Sequence, residues 1–350
     1  MDSPIFVPIK ERVRLNPNSL KETYHIVLDL SSQEMDYAVG DCVGIYPTND
    51  AHVVARILSY LAATGDEKVC DREGNSHTLS FFLTHKANLA KVTKKLLGTL
   101  GLSTIATESE IAELLAHVSV TPPLQLFVEG LLPLMPRFYS IASSKKEVGA
   151  EIHLTVALTQ FEREGERRFG VCSRYLCHLA PLQVACVPIY LQKTRDFTLN
   201  EQTFQKPIIM IGPGTGIAPF RGFLQERLKT TEAPNWLFFG ERNHGSDFYY
   251  KDFLHQLVEK NKLQLSSAFS RDQEHKIYVQ HKMLEHAKEL WQWLENGAYL
   301  YVCGDASRMA KDVEATLLTI FQKEGAMDLL GAKEHLKHLR KEKRYLRDVY

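Results

Sequence analysis

Over the first fifty residues, apolar and polar positions alternate. Ile5, Val7 and Ile9 stand two apart, His25-Ile-Val-Leu-Asp-Leu30 continues the pattern, and Val43, Ile45 and Tyr46 resume it after a break at Gly40-Asp41. A period of two sends successive side chains to opposite faces, so these segments predict antiparallel strands joined by turns. Pro47-Thr-Asn-Asp50 predicts a turn leading into a helix cap. From Ala51 to about Gly130 the period changes: Val54, Ile57, Leu58 and Leu61 fit one helical face, as do Ile111, Leu114, Leu115 and Val118. Strand signals are few there, which predicts a helical insertion at about 51–130 within a β domain. Strands return at Arg137–Ile141, Glu151–Ala157 and Val184–Leu191.

Polar Asn200 to Lys206 predicts a boundary, with a first domain over 1–203 and a second over 204–350. Beyond it, strand candidates at Ile208–Ile211, Trp236–Phe239, Gln264–Ser270 and Tyr299–Cys303 alternate with helical stretches near Phe220–Leu228, Phe253–Lys260, Lys282–Glu295 and Ser307–Lys323. Such alternation predicts a doubly wound α/β sheet. The expected fold class is therefore β plus α/β: an antiparallel β domain carrying the insertion, then a doubly wound α/β domain.

Composition changes this picture only by exclusion. A hydrophobic content of 44% and a charged content of 24% describe a globular chain rather than a disordered one. Lys plus Arg equals Asp plus Glu at 42 each, so net charge supplies no drive toward nucleic acid or a membrane surface, and any anion site must be local. Six cysteines form no CxxC pair, Met1-Asp2-Ser3-Pro4 has no leader pattern, and no apolar run approaches the roughly 18 residues of a membrane span. Free thiols in a cytoplasmic setting are expected. The 14 histidines lack ligand spacing, so no metal site is expected.

The candidate chemistry begins at Pro207-Ile-Ile-Met-Ile-Gly-Pro-Gly-Thr-Gly-Ile-Ala-Pro219. A buried strand ends in glycines at 212, 214 and 216, and Pro219 suits the first turn of a helix. Strand, glycine loop and helix start make a phosphate site, with Gly214, Thr215 and Gly216 at its centre. The spacing is GxGxG rather than GxGxxG, and an ordinary tight turn is the competing reading. Ser270-Arg271, then Lys276 and Tyr278, offer charge-assisted donors and a stacking plane, which suit a 2′-phosphate on adenosine; a solvated loop is the alternative. On Arg137-Phe-Tyr-Ser140, alternation puts Arg137, Tyr139 and Ile141 on one face, where a guanidinium could meet a pyrophosphate and an aromatic could cover a flat ring; taken alone, the segment reads rather as a half-buried strand with a polar outer face. Gly170-Val171-Cys172-Ser173 could start a helix with Ser173 as its cap and free N–H groups for a second pyrophosphate. Cys303 ends a strand at the sheet's carboxyl edge, although a lone cysteine is more often core filler. The closing Tyr350 reads, taken alone, as a frayed end.

In order, these segments resemble the reductase module of the dual-flavin reductases, the family of cytochrome P450 reductase. The most specific matches are Arg137–Ser143, Gly212–Pro219, Ser270–Gln280 and Tyr301–Asp305, and the ending Arg344–Tyr350 most resembles the sulfite reductase flavoprotein branch. The resemblance implies an FAD-binding barrel and an NADP-binding domain, hence an NADPH-dependent oxidoreductase. By position it implies that Arg137 and Gly170–Ser173 hold the FAD pyrophosphate, that Tyr139 lies against the flavin, and that Ser140 sits near its N5. Thr215 and its loop would contact the NADP pyrophosphate, and Ser270, Arg271, Lys276 and Tyr278 the 2′-phosphate and adenine. Gln280 and Asp305 belong to the same cofactor-binding motifs. Cys303 and Asp348 would position nicotinamide, and Tyr350 would cover the flavin. Family members begin with an FMN-binding domain, which is expected to be absent because Met1 stands a few residues before the barrel. The electron acceptor is then expected to be a separate FMN protein, ferredoxin or hemoprotein. A stand-alone ferredoxin or flavodoxin reductase is the near alternative, and a non-catalytic subunit retaining a nucleotide the distant one.

Overall fold

The computed structural model describes residues 4–102, 110–163 and 165–350. Its first sheet has six antiparallel strands in the order Arg137–Ser140, Cys42–Ile45, Ala185–Gln192, Ile5–Arg14, Thr23–Asp29 and Glu151–Ala157. The outermost segments meet where Ala142 N–H donates to His153 O (2.7 Å), which curls the sheet into a barrel. The alternating residues fill it: Val7 and Ile9, Ile26 and Leu28, Leu154 and Val156, and Val187 and Ile189 are all buried in one cluster.

The insertion has its own core around Val54, Ile57, Leu83, Leu96, Ile111 and Phe127. Asp50 caps its first helix, Ala51–Tyr60, by accepting from His52 N–H (2.9 Å). Two small strand pairs interrupt the helices: Lys68–Cys70 with Ser76–Thr78, and Ala87–Asn88 with Leu132–Pro133. Strands of two or three residues are too short to show a period, so the sequence pattern reads as helical throughout. A further hairpin, Gln160–Arg163 with Glu166–Phe169, is missed because its residues are nearly all polar.

The second sheet is wholly parallel, in the order Gln264–Phe269, Asn235–Glu241, Ile208–Ile211, Tyr299–Gly304 and Tyr345–Val349. Ile208 to Ile211 are fully buried at the sheet's centre. Three features differ from the sequence expectation. The helix expected over 282–295 is two, Val279–Glu285 and Ala287–Glu295, broken at His286. Leu329–Lys341 forms a helix on the stripe Ala332, Leu336, Leu339. The end of the chain is not frayed: Tyr345–Val349 is a strand, held by burial of Tyr345 and Leu346.

Asn200 caps the short helix Glu201–Phe204, and the fully buried Arg227 fixes this linker by donating to Thr203 O (2.6 Å), Lys206 O (3.0 Å) and Asn235 Oδ1 (2.6 Å). The two sheets are joined mainly through helix Ile217–Thr230. Arg221 Nη1 donates to Ala142 O (2.7 Å), Gln225 Oε1 accepts from Ser144 N–H (3.0 Å), and Glu226 accepts from Ser144 Oγ (2.5 Å) and pairs with Lys146 (2.6 Å). Beside this contact, Tyr250 Oη meets Thr155 Oγ1 (2.6 Å) and His25 Nδ1 (3.0 Å), and the His25 and His153 rings meet edge-on.

Burial, then the nearby Arg221 and His153, push His25 down to about 3. A histidine held neutral in the fold binds its proton more readily once unfolded, where its pKa is about 6.5. Its contribution to stability is therefore complete above that value and declines as pH falls toward 3. His25→Gln removes the titrating group, and its urea-unfolding free energy is expected to fall less steeply between pH 6.5 and 4.5 than that of the parent. Identical slopes would assign the acid sensitivity elsewhere.

Candidate functional site

The carboxyl edge of the parallel sheet faces the barrel strand Arg137–Ser140, and one carboxylate joins them. Asp348 stands beside Cys303 in the register of the last two strands. Its Oδ2 accepts from Ser140 Oγ (2.8 Å), across the domain boundary, and lies 4.0 Å from Cys303 Sγ. Cys42, opposite Ser140 in the barrel, places its thiol 3.8 Å from the same hydroxyl. Burial raises the Asp348 carboxyl above its ordinary value, and the Ser140 bond opposes that rise. Burial, then Asp348, pushes the Cys303 thiol well up, and burial brings Cys42 to about 11. Both thiols therefore stay protonated at neutral pH and are weak donors rather than nucleophiles. Cys303 is core filler in its burial and still touches the site.

The glycine loop folds tightly onto this edge. Gly214 has φ +61°, and a Cβ on Gly216 would lie 2.2 Å from Cys303 O. With Gly212, where a Cβ would lie 2.6 Å from Gly216 O, these positions explain the GxGxG spacing: one needs the left-handed conformation and the others are in close contact with neighbouring backbone. Gly214–Gly216 forms a single tight turn that runs into helix Ile217–Thr230. Thr215 Oγ1 is 2.8 Å from Tyr350 Oη. Main-chain bonds from Tyr350 N–H to Gly304 O (3.1 Å) and from Ala306 N–H to Tyr350 O (3.0 Å) hold the terminal residue, which as a whole is 65% exposed.

A cleft of about 450 Å³ opens beside the loop. Of the expected residues, Gly214, Ser270, Tyr278, Gln280 and Asp305 line it, whereas Arg271 and Lys276 stand exposed on the adjoining loop and outside its wall. Asp305 also accepts from the N–H groups of Ser307, Arg308 and Met309, which hold its carboxyl down at about 2 after its bond to the Ser307 hydroxyl. Its carboxylate thus fixes the turn after Gly304. Sequence reading missed Glu241, Arg242 and Arg308 in this wall. It also missed Lys21, which reaches from the barrel to form an ion pair with Glu241 at the mouth of the loop. Glu241 and Arg242 stand two and three residues beyond the carboxyl end of the predicted strand Trp236–Phe239, a signal that could have found them; Lys21 carries no comparable mark.

In the barrel, Arg137 is exposed with its guanidinium bonded to Pro136 O (3.3 Å), Tyr139 is partly buried, and Phe138 turns outward against Tyr190. The turn at 170–173 corrects one expectation. Gly170, not Ser173, is the cap of Val171–Arg174. Ser173 lies inside the helix, where its hydroxyl donates to Gly170 O (3.0 Å) and accepts from Thr159 N–H (3.1 Å). Cys172 is buried and points to Ile45 O (3.9 Å), leaving the backbone N–H groups of this turn as its outward donors. A larger cavity of about 1020 Å³, lined by Phe6, Tyr46, Phe82 and Leu131 among others, lies between insertion and barrel and contains none of the expected residues. No helix among the described residues is long and apolar enough to cross a membrane.

If the Ser140 hydroxyl is what restrains the Asp348 carboxyl, Ser140→Ala should raise its titration midpoint further. Carbon-13 NMR titration of the aspartate carboxyls reads this directly, and an unmoved midpoint would remove the bond from the electrostatics of the site.

Comparison with known proteins agrees with this layout. Residues 1–73 and 84–175 match an FAD binding domain, and residues 210–315 match an oxidoreductase NAD-binding domain. Among curated proteins, the chain is 39% identical to the sulfite reductase [NADPH] flavoprotein alpha-component of Vibrio cholerae serotype O1, over 95% of this chain and 57% of that protein. It is 40% identical to those of Shewanella sp. (strain MR-7) and Aliivibrio fischeri, over 94% and 95% of this chain and 58% of each relative. The chain thus spans a little over half the length of these relatives. It carries an FAD binding domain followed by an oxidoreductase NAD-binding domain.

Proposed function

We propose that this chain is an NADPH-dependent reductase that takes reducing equivalents at a bound FAD and delivers them to a separate acceptor protein, in the manner of a sulfite reductase flavoprotein. In this reading, residues 1–203 form the FAD domain, residues 204–350 form the NADP domain, and the protein works in the cytoplasm. The convergence of Ser140, Cys303 and Asp348 across the two domains carries it: a hydroxyl, a protonated thiol and a half-buried carboxyl meet where a strand of the flavin domain faces the nicotinamide domain. When bound, FAD supplies hydride acceptance and stepwise electron release.

The side chains fit these ligands. The Arg137 guanidinium and the backbone N–H groups of Val171 to Ser173 are available to a pyrophosphate, and Tyr139 offers its ring to the flavin. Gly214 to Gly216 leave room for the second pyrophosphate, and Lys21 supplies the cation that the loop itself lacks. Ser270, Tyr278 and Gln280 line the 2′-phosphate end, with Arg271 and Lys276 free to swing onto it. Asp348 stabilises positive charge developing on the nicotinamide, and Ser140 and Cys303 orient the carboxyl. Tyr350 covers the flavin and is released by breaking its bond to Thr215. The acceptor is a protein of the sulfite-reducing system, a reading supported by the names of the relatives.

Purified protein loaded with FAD is expected to lose its visible flavin absorbance on anaerobic addition of NADPH; an unchanged spectrum would overturn the proposal. Arg271→Ala should weaken NADPH relative to NADH by roughly tenfold to a hundredfold, the range of a lost charge-assisted hydrogen bond. Equal losses with both coenzymes, measured as kcat/KM, would take Arg271 out of 2′-phosphate recognition. Deleting Tyr350 should raise turnover with NADH, and an unaltered coenzyme preference would reject the cover.

A further inference from the structure

Glu241 is a poor residue to find beside a diphosphate site. Its side chain is only 4% exposed, and a Cβ built on Gly214, at the apex of the glycine loop, would stand 3.5 Å from Glu241 Oε1 and 3.9 Å from Lys21 Nζ. Glu241 and Lys21 form an ion pair that spans the two domains. The carboxylate has two further donors, Tyr249 Oη (2.9 Å) to Oε1 and Arg242 N–H (2.8 Å) to Oε2. Tyr249 is itself fixed by Thr23 Oγ1 (2.9 Å). Lys21 is less constrained: it is 24% exposed and lies between the strands Ile5–Arg14 and Thr23–Asp29.

The two partners of this pair are therefore unequal. If the ammonium leaves, the carboxylate keeps two hydrogen bonds from fixed groups, which limits the penalty for a buried charge left behind. If the carboxylate were removed, the ammonium would still face the loop. Paired, the two charges cancel, so the loop presents little net attraction to a polyanion.

We propose that Glu241 is a stand-in anion, occupying Lys21 in the ligand-free protein and yielding it when the coenzyme's diphosphate enters. This rests on the reading of the glycine loop as the coenzyme's diphosphate site. Glu241 then sets coenzyme affinity through Lys21: it lowers affinity and keeps the mouth of the loop neutral until the ligand arrives. The coenzyme and Glu241 compete for one cation.

The test is calorimetric titration of the FAD-loaded full chain with two probes, NADP⁺, which carries the diphosphate, and 2′-AMP, which does not. Glu241→Gln keeps the side chain's size and its bond from Tyr249 while removing the charge. It is expected to tighten NADP⁺ by roughly tenfold, the order of relieving one buried competing charge, and to leave 2′-AMP unchanged. Lys21→Ala should weaken NADP⁺ and also leave 2′-AMP unchanged. Glu241→Asp, which withdraws the carboxylate by one methylene, should tighten NADP⁺ in the same direction by less and serves if the Gln variant does not fold. Unchanged or weaker NADP⁺ binding by the Glu241 variants, with wild-type affinity for 2′-AMP, overturns the stand-in role while leaving the loop as the site. Equal tightening of both probes also overturns it, because the effect would then be global. A wild-type protein that binds neither probe removes the parent reading and this one with it.

Discussion

The geometry of both halves depends on the docking of helix Ile217–Thr230 against the turn Ala142–Lys146. The helix begins at the glycine loop, and the turn continues the barrel strand that carries Arg137, Tyr139 and Ser140. Arg221, Gln225 and Glu226 bond that turn directly, and Gly222 lets the two backbones approach: a Cβ there would lie 3.1 Å from Ser143 O. The loop and the strand thus sit within a few residues of one rigid contact. The 2.8 Å bond from Ser140 to Asp348 crosses the same boundary and tolerates little slack. Where two rings must meet in near-attack contact, a displacement of about 1 Å can cost about a hundredfold in rate.

A chain with no formal net charge uses its buried charges for position. Burying an ion costs several kcal/mol unless its partners are well placed. Arg227 meets that condition with main-chain carbonyls and Asn235, and so fixes the linker between the domains. Arg221 does the same at the interface with Ala142 O and the rings of Tyr250 and Phe253. Arg221 specifies one arrangement of the two sheets, because another would leave its guanidinium without Ala142 O, whereas Arg227 ties the linker to the second sheet.

Local pattern revealed much of the fold, though it missed the helix Leu329–Lys341 and misplaced the cap at 170–173. The central strand Ile208–Ile211, the glycine loop, the Asp50 cap and the alternation of Val7, Ile9, Ile26 and Leu28 are all decided by neighbours within a few residues. The hairpin at Gln160–Phe169 escaped because it is polar on both faces, and the break at His286 because the apolar stripe runs on through it. The site itself is the least local feature. Ser140 and Asp348 are 208 residues apart, and Lys21 and Glu241 are 220 apart. No periodicity links such pairs. Asp348 entered only through family resemblance, and Lys21 did not enter at all.

The terminal strand shows how fold and chemistry are tied. Side chains on a strand alternate, so a slip of one residue would turn Asp348 away from Ser140 and Cys303. Both faces resist that slip. Leu346, on the Asp348 side, is buried in the cluster that contains Cys303 and Tyr301, whereas Tyr345 enters the opposite core. Arg347 shares the Tyr345 face and pairs with Glu314 (3.2 Å). Tyr350 is locked into the main chain of Gly304 and Ala306 immediately beyond. Moving the strand by one position would bury Arg347 beside two thiols and send Asp348 toward Glu314, a like charge. The carboxylate is thus aimed by hydrophobic burial on either side of it, and the register that stabilises the sheet edge is also the register that completes the site.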